Sequence, residues 1–421
     1  MRIAVLAYRG NMQSGGQGIY LHALVRGLLN RGHEIECFVG PPYPDPIPGV
    51  QLTRIDNQQF WIKRFERDGS AILPRPNPLR ILHPLCFYEY AVTRFGFLPE
   101  PFAFSLRAAR EVIARLRRGV RYDLVHDVQS LGYGLLWLRA LGLPVVTTVH
   151  HPLTVDRRFS LQRDQTFTDY KGTLTFYPVR SQARVARRLD AVITSSESSK
   201  REITRGFRVR SERVHNVLNG VDLPPLGRSR RRPVKPELLF AGRTGDPNKG
   251  FEYLLAALAL LPDEVHLRVL DRFPEGTALA RQIHSLGLSR RIRFAGKVSR
   301  SELEQAYRHA ALLVVPSLFE GFGLPAVEAL GAGTPVVASA AGALPEILEV
   351  AGAGRLVPPA DPSALAKGIS ESLADWRAEQ RVVRSARARI EAHFGWPGVI
   401  NETERVYQKV RAERREAGRL R

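Results

Sequence analysis

The sequence predicts an α/β protein of two Rossmann-like domains facing each other across a cleft. Two observations carry that expectation. Short apolar runs of buried-strand type alternate with helical patterns through two successive stretches of about two hundred residues each, the rhythm of doubly wound parallel sheets. Between the stretches, from Leu223 to Pro236, the text changes to Pro224-Pro225, Arg228, Arg230-Arg231-Arg232 and Pro233, a linker composition. The expected domains are residues 1–225 and 236–385, with a C-terminal helical segment, 386–421, crossing back to the first. Open sheets bind ligands outside the carboxyl ends of their strands, so chemistry is expected there.

The first half opens as strand, turn, helix, strand. Ile3–Ala7 is an apolar run, Ser14-Gly15-Gly16-Gln17-Gly18 is a glycine-rich turn, and Leu21, Leu24, Val25, Leu28 and Leu29 share one helix face. Gly32-His33 ends that helix and Ile35–Val39 is the next strand. From Pro41 to Pro101 prolines and aromatics such as Phe60-Trp61 and Phe95-Gly96-Phe97 break the alternation, so this stretch reads either as a substrate-facing or surface insertion or as a lid on its own domain. A basic helix is expected from Leu106 to Arg118, then strands at Leu124–His126, Val145–Val149, Ala191–Thr194 and Val214–Leu218. After the linker come strand Leu238–Ala241, helix Gly250–Leu261, and strands His266–Leu270, Ile292–Ala295, Leu312–Val315 and Pro335–Ala338. The stretch Ile390–Arg421, rich in Arg and Glu, reads as helical.

Composition narrows the class. The 421 residues are 44% hydrophobic and 24% charged, values of a folded rather than a disordered chain. Two cysteines make neither a disulfide framework nor a cysteine-rich zinc site, and they suit a reducing compartment. Met1–Ala7 gives way to Tyr8-Arg9-Gly10 too early for a signal peptide, and no apolar run reaches the roughly 18–20 residues of a spanning helix. The expected location is cytoplasmic. A formal net charge of +21 implies attraction to a polyanion, whether nucleic acid, anionic membrane or phosphorylated ligand, or else a solvated arginine-rich surface.

Several residues sit where chemistry is expected. Glycines let the Gly15–Gly18 backbone approach a ligand at a helix start, where free N–H groups favour an anion; an ordinary tight turn is the other reading. The spacing is not a dinucleotide fingerprint. Gly242-Arg243 follows a strand and Lys249-Gly250 opens a helix, placing a planar fork and a point charge where two phosphate groups would lie; solvated surface cations are the alternative. In Pro316-Ser317-Leu318-Phe319-Glu320-Gly321-Phe322-Gly323-Leu324-Pro325-Ala326-Val327-Glu328, a strand ends, a loop carries Glu320, and Pro325 suits a first helical turn. The amides of Phe322, Gly323 and Leu324 are then free for an anion, and Glu328 lies further into the helix, where its carboxylate also suits the macrodipole. His150 ends a buried strand and is read as either structural or ligand-facing; His126 is read as structural. No His, Asp and Glu grouping has metal-ligand spacing, so neither a bound metal nor a cofactor is expected.

Taken together, these segments resemble the retaining glycosyltransferases of family 4, which have the GT-B architecture. The resemblance spans essentially the whole chain. It rests on the glycine-rich loop, Thr148-Val149-His150, Ser195-Ser196-Glu197, Asn219-Gly220-Val221-Asp222, Gly242-Arg243 with Lys249-Gly250, and Glu320 to Glu328, in the family's order. It implies a hexosyltransferase that moves sugar from a nucleotide-diphosphate sugar to a hydroxyl acceptor, either a sugar, a lipid or lipid-linked acceptor, or a cell-envelope polysaccharide. By the same resemblance, Arg243 and Lys249 bind the leaving diphosphate, Phe322, Gly323 and Leu324 hold phosphate and sugar through their amides, and Glu320 grips donor-sugar hydroxyls. Glu328 binds the ribose, Val298 lies near the nucleobase, His150 sits beside the anomeric carbon, and Gly16 closes on phosphate or acceptor. Retention is expected to follow a front-face route in which leaving phosphate helps deprotonate the acceptor.

One departure stands out. After His266–Leu270 the family often has a glycine-rich turn, whereas this chain has Asp271-Arg272-Phe273-Pro274. Another GT-B enzyme, such as a nucleotide-sugar epimerase or a phosphorylase, is a competing expectation. A nucleic-acid-binding protein is another, suggested by charge but lacking any interleaved aromatic–basic motif, and no nucleic acid is expected as partner. Arg107, Arg110, Arg115, Arg117, Arg118, Arg121, Arg184, Arg187 and Arg188, with the aromatic-rich insertion, suggest peripheral docking on the anionic inner face of a membrane; solvated basic helices are the alternative.

Overall fold

Strands buried on both faces need apolar side chains at every position, and the runs Ile3–Ala7, Val145–Val146 and Leu312–Val315 supply them, nearly all fully buried. The computed structural model describes residues 1–11, 16–57, 77–163, 166–176, 178–226 and 235–419. Ser14-Gly15 of the first glycine-rich turn, Phe60-Trp61 and the arginine run 228–233 lie outside the described residues.

Seven strands form the first sheet: β1 (Arg2–Ala7), β2 (Glu34–Val39), β3 (Gln51–Arg54), β4 (Leu124–Val128), β5 (Val145–Thr148), β6 (Ala191–Thr194) and β7 (Val214–Asn216). They lie in the order β3-β2-β1-β4-β5-β6-β7, every pair parallel. Six strands form the second: β8 (Glu237–Phe240), β9 (His266–Val269), β10 (Ile292–Phe294), β11 (Leu312–Val315), β12 (Val336–Ser339) and β13 (Arg355–Val357). Their order is β10-β9-β8-β11-β12-β13, again all parallel. Each sheet reverses direction of winding once, between β1 and β4 in the first and between β8 and β11 in the second, and those reversals are where a doubly wound sheet opens a crevice.

Alternation along the second sheet shows how both faces are covered. Leu239, Leu313, Val315, Val336 and Ala338 pack with helices Leu324–Ala332 and Leu344–Ala351, while Leu238, Phe240, Leu312, Val314 and Val337 pack with helices Phe251–Ala259 and Pro362–Ala374. Trp376 completes the latter layer, fully buried and donating its indole N–H to the Ala311 carbonyl at 2.9 Å.

The chain divides into two compact units, one of Met1–Ser195, Ser199–Val217 and Ile400–Arg421, the other of Ser196–Ser198 and Leu218–Val399. The last helix, Trp396–Arg419, therefore begins in the second unit and continues in the first. Within the first unit Ile400 packs against the bare Cα of Gly27, Tyr407 is fully buried against His126, and Arg411 and Arg414 pair with Asp123 and Asp190.

Two expectations need correction. The 41–101 stretch is less irregular than its composition suggests, since it contains edge strand β3, a single-turn helix at Pro78–Leu82 and helix Pro84–Arg94. An edge strand with Leu52 as its single aliphatic residue carries no alternating signal, and the helix is marked only by His83 capping Leu85 N and by Pro84 in its first turn. The basic helix starts at Glu100 rather than Leu106, and its arginines are not all surface charge. Arg107 forks onto buried Glu89 with two bonds of 2.7 Å, and Arg115 bonds buried Glu36 at 3.0 Å. Both are spent inside the fold and cannot face a membrane. No helix among the described residues is long and apolar enough to cross one.

Candidate functional site

In the second unit the loops after β8 and β11 flank the reversal of strand order, and they carry most of the candidate residues. After β8, Asp246 accepts the Asn248 N–H at 3.0 Å and shapes the turn Pro247–Lys249. Gly250 follows at φ 63°, and a Cβ there would collide with the Pro316 carbonyl oxygen at the end of β11. Only glycine gives this close left-handed approach. The Asn248 carbonyl accepts the Leu318 N–H at 2.7 Å, so the two loops are stitched together.

That stitching brings Lys249 onto Glu320. The ammonium donates to both carboxylate oxygens, at 2.8 and 3.0 Å, and Ser317 Oγ donates to the same carboxylate at 2.7 Å. Burial pushes the Lys249 ammonium down, but Glu320 outweighs it and leaves Lys249 above its ordinary range, a held positive charge. Arg243 is different. Its side chain is 84% exposed and touches Asp246 only at 3.8 Å, so its fork is available to a ligand.

Beyond Glu320, Gly323 at φ 99° turns the chain into helix Leu324–Ala332, with Pro325 in the first turn. The N–H groups at this start have no helical acceptors behind them, which is the arrangement that receives anions. Phe322 is buried and stacks edge-on against Phe394, fixing the turn from behind. One turn further, Glu328 accepts from Arg300 Nη1 at 2.6 Å and from the Tyr307 hydroxyl at 2.9 Å. A carboxylate has about four acceptor positions, so two remain for hydroxyls. Val298 is half-buried in the loop after β10, just beyond Gly296 at φ 70°.

The departure at Asp271 has a visible consequence. Its carboxylate accepts the Thr244 N–H at 2.7 Å and the Thr244 hydroxyl at 2.9 Å, tying the loop after β9 to the residue beside Arg243.

The first unit holds Gly16 and His150. Gly16 is the exposed first residue of helix Gly16–Asn30, and Tyr20 on that helix meets the His150 ring edge-on, with centroids 4.3 Å apart. The loop after β4 holds His150 from the other side, since Gln129 accepts its backbone N–H at 2.9 Å and donates to the His151 carbonyl at 3.0 Å. Gln129 and Leu131 have φ of 56° and 48°, a strained course for side-chain-bearing residues. Buried Asp127 over-determines it by accepting from Ser130 Oγ, Ser130 N at 3.0 Å, Leu131 N at 3.1 Å and Thr147 Oγ1 at 2.8 Å.

The structure thus gathers Lys249, Glu320, Phe322, Gly323, Leu324 and Glu328 in one unit and Gly16 with His150 in the other. Sequence reading missed Ser317, Arg300, Tyr307, Tyr20, Gln129 and Asp127, all of which hold candidate residues in place. Ser299 followed by Glu302 is a capping box that fixes Arg300 at the first turn of its helix, a signal available in the text. His126 is fully buried between the Tyr407 and Thr148 hydroxyls, and burial pushes its pKa down to about 3. Among the described residues no group of three or more His, Cys, Asp or Glu side chains could hold a metal ion.

Comparison with known proteins adds a second line. The signature of Glycosyltransferase Family 4 matches residues 14–224, and that of Glycosyl transferases group 1 matches residues 228–389. An MMP α-(1→4)-mannosyltransferase of Mycolicibacterium hassiacum is 37% identical over 413 residues, covering 97% of this chain and 98% of that protein. A D-inositol 3-phosphate glycosyltransferase of Xylanimonas cellulosilytica is 30% identical, covering 92% of this chain and 90% of the other. Sucrose-phosphate synthase from Thermosynechococcus elongatus superposes with TM-score 0.71 at 24% identity over 98% of this chain and 100% of the other. Anabaena HepE, crystallised with UDP and glucose, gives 0.69 at 20% identity over 97% and 100%. At these identities the two structures speak for the fold, which is GT-B.

Proposed function

Because this chain belongs to the family 4 glycosyltransferases and is itself a glycosyltransferase, we propose that it moves a hexose, with retention of anomeric configuration, from a nucleotide-diphosphate sugar to a hydroxyl acceptor. The observation that carries the reading is Lys249 held on Glu320 beside a free helix start, with exposed Arg243 on the adjoining loop. The two cations and the amides of Phe322, Gly323 and Leu324 meet the diphosphate. Their charge is in place before the reaction and counts most as the C1–O bond to phosphate breaks. Glu320 accepts hydroxyls of the sugar, Glu328 those of the ribose, and Val298 borders the base; by the family resemblance His150 is assigned to the sugar and Gly16 to phosphate or acceptor. The acceptor oxygen bonds C1 on the face the diphosphate leaves, and the acceptor proton passes to a departing phosphate oxygen. The mannosyltransferase and the UDP-glucose-bound HepE structure support hexosyl transfer from a nucleotide-sugar.

The acceptor is a lipid-linked or cell-envelope saccharide presented at an anionic membrane to which the first unit docks from the cytoplasmic side. Exposed Leu79, Leu82, Phe87 and Phe95 along one segment support this, with exposed Arg110, Arg117, Arg118, Arg121, Arg187 and Arg188. Flotation with anionic but not zwitterionic vesicles is expected.

A thermal-shift screen of UDP, GDP, ADP and their sugars tests the donor. One base is expected to raise the melting temperature, because a ligand that binds only the native state stabilises it in proportion to occupancy. No shift with any nucleotide removes the reading. Proton NMR of the fresh product reports the anomer, and inversion would remove the front-face route.

A further inference from the structure

The turn Ser195-Ser196-Glu197 after β6 has no part in the chemistry above, yet it reaches the donor loop. The chain leaves the first unit at Ser196–Ser198, which belong to the second unit, and returns at Ser199. Within the second unit the fully buried Ser196 donates its hydroxyl to the Gly321 carbonyl at 2.8 Å. Glu346, in the first turn of helix Leu344–Ala351, fixes the serine by accepting the next two backbone N–H groups, Glu197 at 2.9 Å and Ser198 at 3.1 Å. The Gly321 carbonyl belongs to the same peptide group as the Phe322 N–H. That peptide is planar and trans, so a bond to its oxygen on one side aims the N–H to the other. Gly321 has no side chain to resist rotation of this peptide, so its direction comes from what the carbonyl bonds. The preceding carbonyl is pinned as well. Glu320 O accepts the Ala343 N–H at 2.9 Å, and a Cβ on Gly342 would strike the Glu320 backbone. Gly321, Phe322 and Gly323 are buried, and among the described residues the N–H groups of Phe322, Gly323 and Leu324 meet no acceptor. Successive backbone donors turned to one side make a concavity that receives an anion.

We propose that Ser196 is a positioning residue of the donor site: its hydroxyl turns the Phe322 N–H toward the diphosphate and polarises it, and Glu346 keeps the hydroxyl there. A hydroxyl donated to a peptide oxygen draws charge through the amide and makes the N–H a stronger donor. The dipole is set before the ligand arrives, which is where such a group gains its effect on developing charge. Ser196 acts through the peptide and not by touching the ligand. The gain falls on a phosphate and not on the ribose or base, which are met at Glu328 and Val298. This inference rests on the donor reading given under the proposed function.

Titration of the full chain with UDP, GDP and ADP, and with uridine, guanosine and adenosine, tests it in the parent, Ser196→Ala and Glu346→Gln. Ser196→Ala is expected to weaken the preferred nucleoside diphosphate about fivefold or more and to leave the matching nucleoside unchanged. Glu346→Gln turns one acceptor oxygen into an amide donor facing an N–H, and is expected to lose about threefold with the same selectivity. Amide NMR of protein labelled only at phenylalanine nitrogens reads the aim directly, with the Phe322 peak assigned by Phe322→Leu. That peak is expected to move when the diphosphate is added to the parent and to move less in Ser196→Ala. A merely structural serine would weaken diphosphate and nucleoside together. Such an equal loss, unchanged diphosphate affinity in Ser196→Ala, or a Phe322 peak that stays still while the parent binds diphosphate would overturn the proposal and leave the donor reading standing. No binding of any nucleoside diphosphate by the parent would remove the donor reading, and this inference with it.

Discussion

Lys249 and Glu320 form a nearly buried pair, and removing one partner leaves the other charge uncompensated. Lys249→Ala is expected to cost stability of about 3 kcal/mol, and Lys249→Ala with Glu320→Ala less than that, measured by urea denaturation. Arg243→Ala carries no such penalty because its side chain is exposed, so its melting temperature should match that of the parent. The two cations thus separate stability from chemistry. At this scale the sequence was legible wherever a residue's neighbours are local, as with Arg243 after its strand or Pro325 in its helix. Partners brought from far along the chain were not legible. Tyr307 reaches Glu328 across 21 positions and Gln129 reaches His150 across 21, through the packing of whole elements.

The elements that aim these side chains depend on a few backbone positions. Gly250→Ala forces a side chain onto the Pro316 carbonyl at positive φ and should separate the loops that bring Lys249 to Glu320. A loss of donor affinity larger than that of Arg243→Ala is expected in a nucleotide titration. In the first sheet, His126 and Asp127 adjoin on β4 with opposite pH behaviour. Burial raises the Asp127 pKa to about 6, so its contribution to stability is present at low pH and is lost as pH rises through that value. Burial lowers the His126 pKa to about 3, so its contribution is present above the ordinary histidine range and is lost as pH falls toward 3. Between about pH 4 and 6 the two oppose each other. Stability of His126→Asn should therefore fall with rising pH across that window, and stability of Asp127→Asn should rise, read from denaturation midpoints. Strands of continuous aliphatic sequence were legible at this scale. Strands β3 and β13, short and at sheet edges with partly exposed side chains, were not.

Across the whole molecule, the linker composition and the repeated α/β rhythm foretold two sheets, and both are parallel with one reversal each. The final segment was read as helical and as crossing back to the first domain, but the residues it meets were not legible, because Tyr407, Arg411 and Arg414 find His126, Asp123 and Asp190 more than two hundred positions earlier. Deleting residues 400–421 should expose the Gly27 and His126 surfaces and lower the first melting transition in calorimetry. Single-turnover transfer from the nucleotide-sugar identified by thermal shift, comparing the parent with Arg243→Ala and Lys249→Ala, bears most directly on what the protein does. The cations stabilise the departing diphosphate, so each substitution should slow transfer by about a hundredfold or more while Arg243→Ala stays fully folded. Transfer within a few-fold of the parent in folded Arg243→Ala and Lys249→Ala would contradict the account.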